Sequence, residues 1–205
     1  MKLKHYLFVC LSLLGFASCS EKDDTVAEYA NWQAKNEAYF EQAYQEHLAA
    51  SSSTCFILKS YTKADTLKQE QLAHTDFVLI DVLPSDFIVQ GDKTVSPIFT
   101  DEVDIHYRGN LLPSLSYPSG YQFDTSFNGT FSQDRAEPST MGVDAVLEGF
   151  ATALQHMHRG DHWRVTIPYQ LGYGTSDSGD IPGYSTLIFE IRLEDFWTDK
   201  KGDRY

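Results

Sequence analysis

The most constraining stretch of the chain lies near its C-terminal end. Leu187, Phe189, Ile191 and Leu193 fall on one side of an extended backbone, and Glu190, Arg192 and Glu194 on the other. A period of two is the signature of a strand with one apolar face. Such a strand needs neighbours in a sheet and something to cover its apolar side. Residues 103–107 and 163–167 alternate in the same way, and 55–61 and 77–83 are apolar, β-rich runs. The cover is a single amphipathic segment: Leu147, Phe150, Leu154 and Met157 share one helical face, with Gly160 after Arg159 as a natural stop. Many strands and one short central helix predict an α+β fold, an antiparallel β-sheet wrapped around a short α-helix.

Composition bounds what such a fold is used for. The 205 residues include 13 Phe, 12 Tyr and 3 Trp, enough for one sizeable core and incompatible with a disordered chain. Sixteen Lys and Arg against 29 Asp and Glu give a net charge of −13, the wrong sign for a phosphate backbone, and no basic cluster offsets it. No nucleic-acid partner is expected. No run of 18 apolar residues exists, which excludes a polytopic membrane protein.

The N-terminus reads as an address. Lys2, Lys4 and His5 precede an apolar run from Tyr6 to Phe16, too short to span a bilayer but suited to the core of a signal peptide. Phe16-Ala17-Ser18-Cys19 resembles the lipobox of bacterial lipoproteins, in which the cysteine is lipidated and becomes the first mature residue. Residues 1–18 are therefore expected to be a lipoprotein signal peptide, Cys19 the lipidation site and 19–25 an acidic tether. Loss of 1–18 removes Lys2 and Lys4 and no acid, so the mature charge falls by two to −15. Ser20-Glu21-Lys22-Asp23-Asp24 resembles the acidic export signal of some Gram-negative surface lipoproteins. The expected location is the cell envelope, with a lipid anchor in the outer membrane, on its periplasmic face or at the cell surface.

Residues 26–50 lack Pro and Gly, and Tyr29, Trp32, Tyr39, Phe40, Ala43 and Leu48 recur at roughly helical spacing. This predicts a helical arm which, with a lead-in strand, fills 26–75. Its stripe packs on its own domain, or on a second copy to make a homodimer, or the arm holds the body off the membrane. Cys10 leaves with the leader and Cys19 becomes a thioether, so Cys55 alone stays in the body and no intramolecular disulfide is available. Within the apolar run 55–58, Cys55 reads as a small buried hydrophobe. His156, His158 and His162 are close in sequence, but His156 and His158 diverge on a helix and no Cys or acid completes a ligand set. No metal and no cofactor are expected.

Several short motifs then arrive in order. Val103-Asp-Ile-His-Tyr107-Arg-Gly109 is followed by Phe123-Asp124-Thr125-Ser126, Val146-Leu147-Glu148-Gly149-Phe150 and Met157-His-Arg-Gly160. Ile167-Pro-Tyr-Gln-Leu-Gly-Tyr173-Gly174, Ile181-Pro182 and Thr186-Leu187-Ile188-Phe189-Glu190-Ile191 complete the string. Together they resemble the FKBP family of peptidyl-prolyl cis/trans isomerases across 76–197, leaving 198–205 as a polar tail. A lipoprotein signal, a helical arm and this domain are also similar in layout to gliding-motility-associated isomerases.

The resemblance implies an active site in the apolar hollow between sheet and helix. Tyr107, Phe123, Asp124 and Tyr173 take the catalytic positions, with Asp124 as the family's buried carboxylate. Val146, Leu147, Phe150, Ile181 and Phe189 take the substrate-binding ones. Leu147 offers its backbone N–H to ligand carbonyls, and Phe150 stands where the family commonly has Trp. It implies proline-containing polypeptides as partners and assistance to the folding of envelope or surface proteins. The alternatives are a non-catalytic binding module or chaperone, or a structural component of an envelope complex. The chain also departs from the pattern. The family usually has an aromatic residue after a Pro in the strand before the helix, and here Ser139 follows Pro138. The segments 109–123 and 126–138 are longer than usual, and Phe127 or Phe131 is expected to fold back and replace the lost ring.

Overall fold

The structure, a computed structural model, describes residues 28–65 and 68–198. The signal peptide, Cys19, the tether to residue 25 and the tail from 199 lie outside the described residues. Seven strands form one antiparallel sheet: β1 (Cys55–Lys59), β2 (Phe77–Val82), β3 (Asp101–Asn110), β4 (Gln122–Thr125), β5 (Ser139–Gly142), β6 (His162–Ile167) and β7 (Leu187–Thr198). The order is β1-β2-β6-β7-β3-β4, and β5 pairs with the first half of β3. All five stretches read as strands form them, though β3 and β7 run beyond the alternating residues, and no alternating or apolar run marks β4 or β5. Thr198 is the last residue of β7 rather than part of a tail, and its hydroxyl donates to Asp101 Oδ1 at 2.6 Å.

Strand register sorts the side chains into two faces. Ile105, Tyr107 and Gly109 on β3 lie opposite Leu193, Ile191 and Phe189 on β7. Trp163, Val165 and Ile167 on β6 extend the same face, as do Ile80 and Val82 on β2. Across this concave face lies helix α2 (Glu148–Leu154). All its residues from Gly149 to Leu154 are buried, as expected of a helix enclosed on every side. Phe150 and Leu154 each contribute roughly 1.5–3 kcal/mol by leaving water. The helix stops at Leu154, earlier than Gly160 suggests; Met157 is buried in the turn that follows, and Gly160 takes φ +89° farther on.

The convex face is covered by two different means. At one end helix α1 (Trp32–Ala50) lies over β1 and β2, where Phe40 and Tyr44 pack against Phe77 and Leu79. Its buried stripe is Trp32, Asn36, Phe40 and Tyr44, whereas Tyr39 and Leu48, expected in that stripe, are exposed. Asn36 belongs there because both ends of its amide are bonded: Nδ2 donates to Trp32 O at 2.8 Å and Oδ1 accepts from Thr186 N at 2.7 Å. Trp32 Nε1 donates to Ser185 Oγ at 2.8 Å. The stripe is thus spent on the helix's own domain. At the other end the loops 83–100 and 126–138 close over Arg192, Glu190 and His162.

Candidate active site

Four aromatic rings meet where β3, β4, β7 and α2 converge. Phe189 is the centre, with ring centroids 4.9 Å from Phe150, 5.4 Å from Phe123 and 6.4 Å from Tyr107. Phe150 and Tyr107 are 6.1 Å apart, edge to face, the arrangement aromatic quadrupoles prefer. Phe150 and Phe189 are buried, and Tyr107 and Phe123 are half-buried. Gly109 makes the cluster possible. A Cβ there would stand 2.5 Å from Phe123 Cζ and 2.7 Å from Phe189 Cε1.

Polar groups rim the aromatic floor. The Tyr107 hydroxyl donates to Asp124 Oδ2 at 2.8 Å, and the Thr125 N–H donates to Asp124 Oδ1 at 2.8 Å. Both carboxylate oxygens are therefore engaged. Asp124 itself is exposed, not buried as the resemblance implied, because β4 is an edge strand that turns its side chain to solvent. Burial pushes the Tyr107 hydroxyl well above its usual range, and the bond to Asp124 raises it further. Burial and the Asp124 charge also raise Tyr173, which is 40% exposed in the turn after β6. Ile181 is buried at the turn Ser178–Ile181 and belongs to the apolar cluster that holds Phe150 and Phe189. Val146 and Leu147 are half-buried and lead into α2. Leu147 is the N-cap residue, and the helix does not consume its N–H.

Phe127 and Phe131 do not replace the missing aromatic. They pack on the convex face, with Phe131 4.9 Å from the His106 ring and Arg192 stacked 4.2 Å above it. His106 and Tyr107 are neighbours on β3 and point to opposite faces, so these rings are separated from the aromatic floor by the sheet. The other long segment also serves as scaffold. Leu111 and Leu112 are buried, and Ser116 donates to Glu28 just ahead of α1.

Residues 94–194 match the FKBP-type peptidyl-prolyl cis-trans isomerase family. These residues belong to that family. The chain is 37% identical over 116 residues to a macrophage infectivity potentiator of Trypanosoma cruzi, covering 54% of this chain and 53% of the relative. It is 38% identical over 107 residues to the FKBP-type 22 kDa peptidyl-prolyl cis-trans isomerase of Escherichia coli, covering 52% and 46%. It thus spans about half the length of these curated relatives. The crystal structure of Escherichia coli FkpA shares the fold with a TM-score of 0.53 at 24% identity, over 81% of this chain and 61% of that one.

Sequence reasoning missed the charged layer behind this FKBP-type site. Arg192 donates from Nε and Nη2 to both oxygens of Asp86 at 2.6 Å and pairs with Glu190 at 2.7 Å. His162 meets Glu190 through Nε2 at 2.8 Å and Pro84 O through Nδ1 at 2.8 Å. The alternation of 187–194 showed these groups facing away from the core, but not that loops would bury them. The three histidines read as neighbours also separate: His156 bonds Thr152 O, His158 faces Asp161, and His162 enters this layer.

Proposed function

We propose that the chain is a peptidyl-prolyl cis/trans isomerase of the cell envelope, carried on a lipid at Cys19 and acting on proline-containing segments of envelope or surface proteins. The observation that carries it is the convergence of Tyr107, Phe123, Phe150 and Phe189 within an FKBP-type segment, with the Tyr107 hydroxyl tied to Asp124. Rotation about an X–Pro bond is slow because amide resonance resists twisting, and it takes tens to hundreds of seconds unaided. The planar amide is strongly dipolar and well hydrated, while the twisted transition state has lost conjugation. An aromatic hollow that receives the pyrrolidine ring and strips water from the amide therefore disfavours the planar state relative to the twisted one. Ile181 closes one side, the Leu147 N–H donates to a substrate carbonyl, and the Tyr173 hydroxyl, kept protonated, donates to another.

Asp124 acts by holding Tyr107, since both its oxygens already accept hydrogen bonds. Protease-coupled isomerisation of a Xaa-Pro tetrapeptide tests the reading. Turnover above the thermal rate is expected, reduced several-fold by Tyr173→Phe and by Asp124→Ala. A folded protein that leaves the thermal rate unchanged sinks the isomerase reading. The rival, a binding module without appreciable turnover, is favoured by Ser139 in place of the family's aromatic.

The anchor rests on the short apolar run ahead of Cys19, and the layout of leader, helical arm and domain resembles that of the gliding-motility-associated isomerases. Fatty-acid labelling is expected in the intact chain and absent in Cys19→Ala; equal labelling of both contradicts the anchor. A homodimer through α1 would have to use its outer face, with Tyr39 and Leu48, because the opposite face is occupied.

A further inference from the structure

Away from the aromatic hollow, three metal-ligating side chains meet where the last turn of α1 crosses the sheet. His47 descends from α1, Cys55 opens β1, and Asp81 stands on β2 as the cross-strand partner of Cys55. One ligand atom from each lies within 4.8 Å of the others. His47 Nδ1 is 2.8 Å from Ala43 O. A carbonyl only accepts, so Nδ1 carries a proton and Nε2 is the ring atom left to offer a lone pair to a metal. That Nε2 is buried, makes no hydrogen bond and faces Asp81 Oδ1 at 3.4 Å. Two ligands bound at about 2.0–2.1 Å in a tetrahedron stand about 3.4 Å apart, so this pair is already spaced for a metal.

We propose that His47 Nε2, Cys55 Sγ and Asp81 Oδ1 form a binding site for a zinc-class divalent cation that fastens α1 to the β1–β2 edge. Nitrogen, sulfur and oxygen donors in one small site suit borderline-soft Zn2+ rather than Mg2+ or Ca2+, which prefer all-oxygen shells. The site has three protein ligands, and Asp81 is about one-third exposed, so water completes the tetrahedron from the solvent side. The Ala43 carbonyl fixes the His47 tautomer from behind, as outer-shell partners of metal-bound histidines do. On binding, the S–H proton of Cys55 passes to solvent as the sulfur–metal bond forms. No short sequence motif announces the site, because its ligands come from three elements at positions 47, 55 and 81.

Titration of the full chain with Co2+, whose thiolate complexes absorb strongly in the near ultraviolet, tests the proposal. One equivalent is expected to give that band, and Zn2+ to abolish it by displacement. Cys55→Ser, a near-isosteric change that keeps the strand, is expected to lose the band. His47→Ala and Asp81→Asn are each expected to weaken Co2+ binding at least tenfold, with the fold of every variant checked by circular dichroism. Absence of the band in the intact chain, or its survival in folded Cys55→Ser, overturns the site. The three side chains would then be an ordinary ion pair with a thiol beside it.

Discussion

Ser139 lies opposite Ile105 on the β3–β5 ladder, on the face that carries Tyr107 two residues farther along β3. Its hydroxymethyl group therefore looks toward the aromatic floor where the family has a ring. Ser139→Phe is expected to close that wall and lower KM for peptides with an apolar residue before proline by up to about tenfold, near the 1–2 kcal/mol that a partly buried ring contributes. Steady-state kinetics of the two proteins check it. An unchanged KM with an unchanged melting temperature would mean that Ser139 does not border the substrate. At this scale the sequence was informative about identity and less so about setting. The neighbours Phe123 and Asp124 were legible as a site pair from the ordered motifs, and a register shift at this point of the β3–β4 ladder lets both reach the same site, Phe123 against Phe189 and Asp124 against Tyr107. That Asp124 is exposed was not, since edge position in a sheet is decided by strands far away in the chain. The fate of Phe127 and Phe131 was illegible for a related reason: nothing local says which face of the sheet a long loop crosses.

Strand β7 shows how one element serves two layers. Its inward residues hold the aromatic floor, and its outward Glu190 and Arg192 sit beneath loops with His162 and Asp86. The hydrogen bond from His162, with the charge of Arg192, holds the Glu190 carboxyl down at about 2 despite the opposing effect of burial. Asp86 is lowered as well, chiefly by its hydrogen bond from Arg192. In the unfolded chain both return to ordinary carboxylate values near 4. The stabilisation is therefore fully present above about pH 5 and is lost as pH falls toward 2. Thermal melts between pH 5 and 2 are expected to fall less steeply for Glu190→Gln than for the unaltered protein. Parallel slopes would remove Glu190 from the acid sensitivity. Helix α1 gives the complementary lesson. Its existence was legible from the Pro- and Gly-free run, but its buried stripe was not. A polar Asn36 takes an inward position by bonding the backbone of residue 186, while Tyr39 and Leu48 remain outside. Apolar spacing alone cannot identify a buried amide whose partner lies 150 residues away.

As a whole molecule the protein is one curved sheet with different chemistry on its two faces. The concave face encloses α2 and ends in an aromatic hollow. The convex face carries α1 at one end and a loop-covered charged layer at the other. The α+β architecture was legible because alternating or apolar runs marked five of the seven strands and helical spacing marked both helices, whereas β4 and β5 carried no such pattern. The covering of the convex face was not, because it depends on contacts between loops distant in sequence. As the proposed isomerase, the protein lowers the barrier to X–Pro rotation in its aromatic hollow rather than merely holding proline there. Exchange spectroscopy by NMR on a Xaa-Pro peptide, with substoichiometric protein and no coupling protease, measures that directly. Cross-peaks linking the cis and trans resonances on the sub-second timescale are expected with the unaltered chain, and much weaker ones with Asp124→Ala. Broadened peptide lines without cis–trans exchange would instead make the hollow a binding groove with no isomerase activity.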